Sequence, residues 1–250
     1  MAVEPDPAGP PEDPGSSQHE PGTRDVIPLF PLRTVLVPGL VTPLHIFEDR
    51  YRLMMRTLLD SDEPVFGIVA IHTGREVDAH GVDAVYDVGT TATLIESEET
   101  GDGGFDISAV GTQRFRLHDI DRSLPYLQGY VEYVGEREGD AAEVLAASVI
   151  RAFARYRAVL TGSDRSDDVA AVAALEMSAH GLPDDPTVLS YLVSAAIVAD
   201  LPQRQALLEA PDTSSRLRAE LDLLARETTI VRTLSAGPAV DLLQAPIYRN

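Results

Sequence analysis

The chain has 250 residues with a formal net charge of −20, and all 20 of its basic residues are Arg. The absence of lysine excludes a P-loop GxxxxGK[ST], a Schiff base and a Ser/Lys dyad, and the absence of cysteine excludes disulfides, thiolate nucleophiles and Cys-ligated metals. A hydrophobic content of 44% is enough for a real core, and the length allows one or two domains.

Residues 1–25 carry Pro5, Pro7, Pro10, Pro11, Pro14 and Pro21 among Gly, Ser and acids, and read as a disordered acidic tail. No basic n-region followed by an apolar h-region opens the chain, and the longest apolar run, Tyr191 to Ala199, is half of a membrane span. A soluble, cytoplasmic protein is expected.

The chain is organised around Ile27 to Tyr51, IPLFPLRTVLVPGLVTPLHIFEDRY. Three apolar runs, Val26 to Phe30, Thr34 to Val37 and Leu44 to Phe47, are punctuated by Pro31, Pro38-Gly39 and Pro43, which predicts short strands broken by fixed turns. From Asp49, the expected N-cap, Tyr51, Met54, Met55, Leu58 and Leu59 recur at helical spacing. Glu48 and Arg50 are expected to form a buried ion pair at the entry to that helix.

Val65 to Ile71 reads as a buried strand, residues 75–87 are ambiguous, and Val88 to Ile95 with Phe105 to Val110 read as a hairpin with an acidic tip, Glu96 to Gly104. Arg114, Arg116 and His118 alternate with Phe115 and Leu117, predicting a strand with one polar face and a slip at Asp119. Tyr126 to Val134 adds another strand. At Gly135 to Asp140 the period changes from two to about 3.6, the main boundary of the chain. Leu145, Val149, Phe153, Tyr156 and Leu160 form one helical stripe, Ser166 to His180 predicts a second helix, and Asp185-Pro186 caps a third running to Ala199. A short helix over Pro202 to Glu209 precedes a long last one, capped by Asp212 and Thr213 and carrying Leu217, Leu221, Leu224, Thr228, Val231 and Leu234.

Few motifs of chemistry survive weighing. Gly101 to Asp106 starts like a phosphate loop but lies between two strands with Asp106 at the third Gly position, so it reads as a turn. His19, His45, His72, His80, His118 and His180 show no metal-ligand spacing, and no GxSxG elbow exists. Glu96, Glu98 and Glu99 read as a solvated tip with no EF-hand pattern. Neither a cofactor, a metal nor a catalytic residue is expected.

The run Pro28-Leu29-Phe30-Pro31-Leu32, then Pro38-Gly39, Pro43-Leu44, Ile46-Phe47-Glu48 and Arg50-Tyr51, resembles the opening signature of the Lon protease amino-terminal domain. Gly89-Thr90, Gly111 to Leu117, Pro125 to Val131 and Leu189 to Leu208 extend the resemblance over residues 26–235. It implies an α+β fold: a mostly antiparallel, PUA-like β pseudo-barrel with one early helix over 26–138, a helical bundle over 139–235 and an extension over 236–250. It also implies a stand-alone, non-catalytic substrate-binding domain whose partners are unfolded or tagged proteins, or a protease or chaperone, with an adaptor or regulator role in protein quality control. Arg33, Tyr51, Met54 and Met55 are the candidate peptide-facing residues, thioethers being suited to promiscuous apolar recognition. The alternative implied by a PUA-like fold is RNA binding; a charge of −20 opposes it unless Arg114, Arg116, Arg151, Arg155 and Arg157 cluster on one face.

Overall fold

A computed structural model describes residues 19–72, 84–161 and 182–236, the side chains of the last three excepted. The predicted helix over 166–180, His80, His180, most of the ambiguous stretch and nearly all of the carboxy-terminal extension lie outside the described residues. The chain divides into two compact units, one formed by residues up to Gly135 together with Arg204–Glu209, the other by Glu136–Gln203 and the residues from Ala210 on.

The first unit holds six strands among the described residues, β1 (Arg24–Leu32), β2 (Val41–Ile46), β3 (Val65–Ala70), β4 (Val88–Glu99), β5 (Phe105–Asp121) and β6 (Gln128–Val134), with α1 (Asp49–Leu59) between β2 and β3. The order β2-β5-β4-β3-β1-β6 is completed by a further β5–β6 ladder, so β1, β3, β4, β5 and β6 close into a ring with one parallel junction, β1 to β3. This is the pseudo-barrel that the resemblance implies. Residues 19–25 are ordered: His19 stacks on Tyr133 at 4.2 Å, and Arg24 and Asp25 begin β1.

The prolines act differently from the expected turns. Pro28 and Pro31 lie within β1, Pro28 where the strand pairs with β6 and Pro31 where it pairs with β3. Each therefore sits where one side of the strand carries no ladder, the position that tolerates a missing N–H. Thr34 to Val37 is not a strand; it is a loop in which Val35, Leu36 and Val37 are buried and the Leu36 carbonyl accepts from the Thr90 hydroxyl at 2.7 Å. The expected bulge near Asp119 is present as a register shift between Leu117 and Asp119.

Alternation sorts the core. Ile27 and Leu29 of β1 and Val69 of β3 join Phe115, Leu117, Val131 and Tyr133 in one apolar cluster, whereas Phe30, Phe66 and Ile68 face a second with Tyr51, Met54, Met55 and Leu58 of α1. β1 and β3 are thus buried on both faces, as the unbroken apolar run of a parallel pair demands. Space inside the first cluster depends on glycine: a Cβ on Gly89 would lie 2.5 Å from Phe115 Cζ and from the Ile68 carbonyl, and one on Gly67 2.9 Å from Phe115 Cζ. α1 is entered through Glu48, not Asp49; Glu48 is extended and makes no side-chain cap, and Asp49 is the first helical residue.

Among the described residues the second unit contains α2 (Ala142–Leu160), α3 (Pro186–Ala196) and α5 (Thr213–Ala236), while α4 (Leu201–Leu208) passes into the first unit from Arg204. Asp185 caps α3 by accepting from the Thr187 and Val188 amides, and Asp212 accepts from the Ser215 amide at the start of α5. Val149, Phe153 and Tyr156 pack with Leu189, Val193, Leu217 and Leu224, whereas Leu160 of the expected stripe is exposed.

α5 also carries two fully buried ionisable residues that the apolar seam conceals. Arg216 donates to the Ser190 hydroxyl at 2.9 Å and the Tyr191 hydroxyl at 2.8 Å, reaches Glu136 at 3.4 Å and lies 3.9 Å above the Tyr191 ring. One turn on, Glu220 accepts from the Ser194 hydroxyl at 2.7 Å while its Oε2 has no partner among the described residues. Burial pushes the Glu220 carboxyl up to about 8, against the opposing pull of Ser194 and Arg216.

Two predictions follow from these cores. Gly89→Ala should destabilise the protein by about 1–3 kcal/mol, because the methyl meets a ring and a carbonyl, while Gly101→Ala, whose Cβ meets open space, should change it by under about 0.5 kcal/mol; urea midpoints of the two variants test this. Because the folded Glu220 binds its proton more tightly than an ordinary carboxyl of 4.5, its contribution is fully present below about pH 4.5 and is lost as pH rises towards about 8. Glu220→Gln should therefore flatten the fall of melting temperature across that window. Parallel pH profiles for variant and wild type would contradict the assignment.

Candidate functional site

β5 is long enough to outrun the ring. Its first half, Phe105 to Val110, pairs with β2 on one side and with the distal part of β4 on the other, giving a three-stranded sheet that projects beyond β3. Directly opposed residues share a face, so the outward face carries the rows Val41–Val110–Thr93, Pro43–Ser108–Glu96 and His45–Asp106–Glu98. A groove of about 690 Å³ runs across it, lined by Pro43, His45, Glu96, Glu98, Asp106 and Ser108 among others. Glu96, Glu98 and Glu99 accordingly belong to a strand, not to the expected loop; the tip is only the Thr100–Gly104 turn. There Asp102 accepts from the Thr100 hydroxyl at 2.5 Å and the Gly104 amide at 3.2 Å, bonds that hold its carboxyl below the usual carboxylate range.

Exposed apolar side chains lie along β2 and at its ends: Val41 is 53% exposed at its start, Leu40 38% just before it and Phe47 60% just after it. His45 stacks with Phe47 at 6.0 Å, and its Nδ1 lies 2.7 Å from Asp106 Oδ1. Arg52 of α1 borders the same end, 3.4 Å from Asp49 and 3.8 Å from Asp102, with its Nε buried and without a partner among the described residues.

Of the residues expected to face a peptide, Arg33 is exposed in the loop after β1, whereas Tyr51, Met54 and Met55 are buried in the core, with relative exposures of 4%, 0% and 0%. Burial raises the Tyr51 phenol above its ordinary pKa, outweighing the nearby Arg50. Glu48 and Arg50 do pair, at 2.7 Å, but both remain partly exposed, and Arg50 lies 4.6 Å over the Tyr51 ring, so the pair braces the helix entry from the surface. Arg114 corrects the expected polar face of β5: it is buried, donating to the Leu208 carbonyl at 2.8 Å across 94 residues of sequence. It is therefore withdrawn from any phosphate-binding face. His118 pairs with Glu132 at 3.0 Å.

Sequence reasoning missed Phe47, His45–Asp106 and the groove carboxylates. The sequence carried little signal for them, because the β4/β5 register shifts between Leu94 and Glu96 and the acids that follow show no apolar alternation. Chemically the surface offers shape, apolar area and negative charge. Among the described residues no group of three or more His, Cys, Asp or Glu could hold a metal, and no hydroxyl is bonded to His45 that would make the His45–Asp106 pair part of a nucleophilic triad.

A β pseudo-barrel carrying an early helix, followed in the chain by a helical unit, defines an α+β fold. The sequence matches the ATP-dependent protease La (LON) substrate-binding domain over residues 26–226, and the chain belongs to that family. It is 26% identical over 206 residues to Lon protease 2 of Herpetosiphon aurantiacus and 28% identical over 210 residues to the Lon protease of Anaeromyxobacter dehalogenans, alignments covering 82% and 83% of this chain. It spans only 24% of the length of either relative. Among solved structures, the N-terminal domain of the Mycobacterium avium complex Lon protease superposes with a TM-score of 0.60 at 20% identity, covering 80% of this chain and 98% of that one. A Lon N-terminal domain protein from Xanthomonas campestris gives 0.54 at 22% identity, with the same coverages. At these identities the structural likeness establishes the fold.

Proposed function

We propose that the chain is a non-catalytic recognition module that engages exposed apolar segments of unfolded or tagged proteins in the cytoplasm, as an adaptor or regulator of a protease or chaperone. The observation that carries this reading is the set of exposed apolar side chains along β2 and at its ends, Leu40, Val41 and Phe47, on a fold of the Lon substrate-binding family. Large apolar side chains left exposed along one edge strand are a mark of an interaction surface. Their partners bind by burying apolar area, at about 25 cal/mol per Å² before the costs of association are deducted. Arg33 contributes from the surface, and Tyr51, Met54 and Met55 contribute from beneath by fixing the position of α1, which carries the exposed Leu53 and Leu59.

Titration of the chain with a permanently unfolded model protein should give saturable binding in the micromolar to sub-millimolar range, and Phe47→Ala should weaken it without changing the melting temperature. Absence of binding at millimolar concentration would contradict the proposal.

A further inference from the structure

The projecting sheet has two edges, and they are treated differently. From Leu94 onwards β4 is paired on its β5 side, and three carboxylates, Glu96, Glu98 and Glu99, guard that end. Charges on an exposed edge strand discourage another strand from adding to it. β2 pairs with β5 alone among the described residues, yet it carries no acid and no Arg; its exposed positions are Val41, Pro43 and His45, with Phe47 just beyond.

The backbone of β2 is oriented for pairing. The Leu40 carbonyl accepts from the Gly111 amide at 2.9 Å, so in an antiparallel ladder Thr42, Leu44 and Ile46 also address β5. Val41, Pro43 and His45 then turn their backbone groups away from β5. Pro43 costs the ladder nothing, since its missing N–H would have pointed outwards. The outer edge retains two donors, from Val41 and His45, and three carbonyl acceptors.

We infer that the outer edge of β2 takes a short, extended, apolar peptide segment bearing a basic residue, as an added strand. The proposal rests on the recognition reading above and specifies its site and chemistry. Five of the six backbone hydrogen bonds of such a pairing are available; the sixth is lost at Pro43. That gap and the net charge of −20 disfavour the same edge of a second copy, where two prolines and two acidic faces would meet. A peptide strand would lie about 4.8 Å beyond β2 and twice that from β5. Its side chains on the outward face would contact Val41 and Phe47, and a long Arg or Lys could reach over β2 to Asp106 at the mouth of the groove. Charge complementarity therefore selects a basic over an acidic segment.

The test uses a fluorescent octapeptide alternating apolar residues with one central Arg, the same peptide with Glu in place of Arg, and the Arg peptide N-methylated on the amides that would face β2. Wild-type protein should bind the Arg peptide at least about tenfold more tightly than either comparator. Val41→Pro, which removes an outward donor and leaves the ladder to β5 intact, should weaken the Arg peptide by a similar factor while the melting temperature holds. Equal affinity for the plain and N-methylated peptides would overturn the edge pairing and leave recognition itself standing if unfolded protein still binds. Failure of both the peptides and the unfolded protein would remove the underlying reading as well.

Discussion

The structure depends on the packing of Phe115 inside a ring of five strands. So small a ring encloses little space, and the ring closes around an aromatic only because Gly67 and Gly89 present no Cβ where the phenyl lies. Gly129 makes the same allowance for Leu29 and Leu117. Closure pairs β6 with both β1 and β5 and thereby removes the edges that an open sheet of this length would expose. What remains outside is the half of β5 that exceeds the ring, with β2 and the end of β4 beside it. The candidate binding surface is thus a consequence of closure: a seventeen-residue strand in a ring of shorter ones leaves a projecting sheet with one edge bearing carboxylates and one, among the described residues, unpaired.

The helical unit solves a different problem. Its seam has an apolar majority, but Arg216 and Glu220 lie one turn apart within it, and their partners come from several segments: Glu136 before α2, Ser190, Tyr191 and Ser194 on α3. A buried guanidinium is tolerable because its donors meet hydroxyls, a carboxylate and a ring face. A buried carboxylate with one oxygen unpartnered among the described residues is costly when charged, and burial accordingly holds the Glu220 carboxyl well above its ordinary range.

Much of this was legible in the sequence, for local reasons. Period two before Gly135 and period 3.6 after it separate the β-rich part from the helical one, and Asp185-Pro186 and Asp212 mark helix starts through side chains that act within three residues. The slip at Asp119 was visible as a break in alternation. The failures have a common cause, which is distance along the chain. Arg114 reads as a surface residue until the Leu208 carbonyl, 94 positions on, meets it. Thr34 to Val37 has a strand's composition but no neighbouring strand to pair with, and its burial comes from Thr90 and Gly111 instead. Met54 and Met55, suited by chemistry to promiscuous contacts, are claimed by the core because α1 covers the face of β1 and β3 opposite the ring interior. The groove went unread because acids in an exposed strand look like acids in a loop.

Membership of the Lon substrate-binding family and the exposed edge of β2 point the same way, to recognition through a surface. The central claim is that ring closure leaves β2 paired on one side only among the described residues, and residue-resolved amide hydrogen exchange on the unliganded protein tests it most directly. Within β2 the amides of Thr42, Leu44 and Ile46 should be protected and those of Val41 and His45 should exchange rapidly, while Leu29, Phe115 and Val131 of the ring should be among the slowest. Uniform protection along β2, or rapid exchange at Leu29 and Val131, would contradict it.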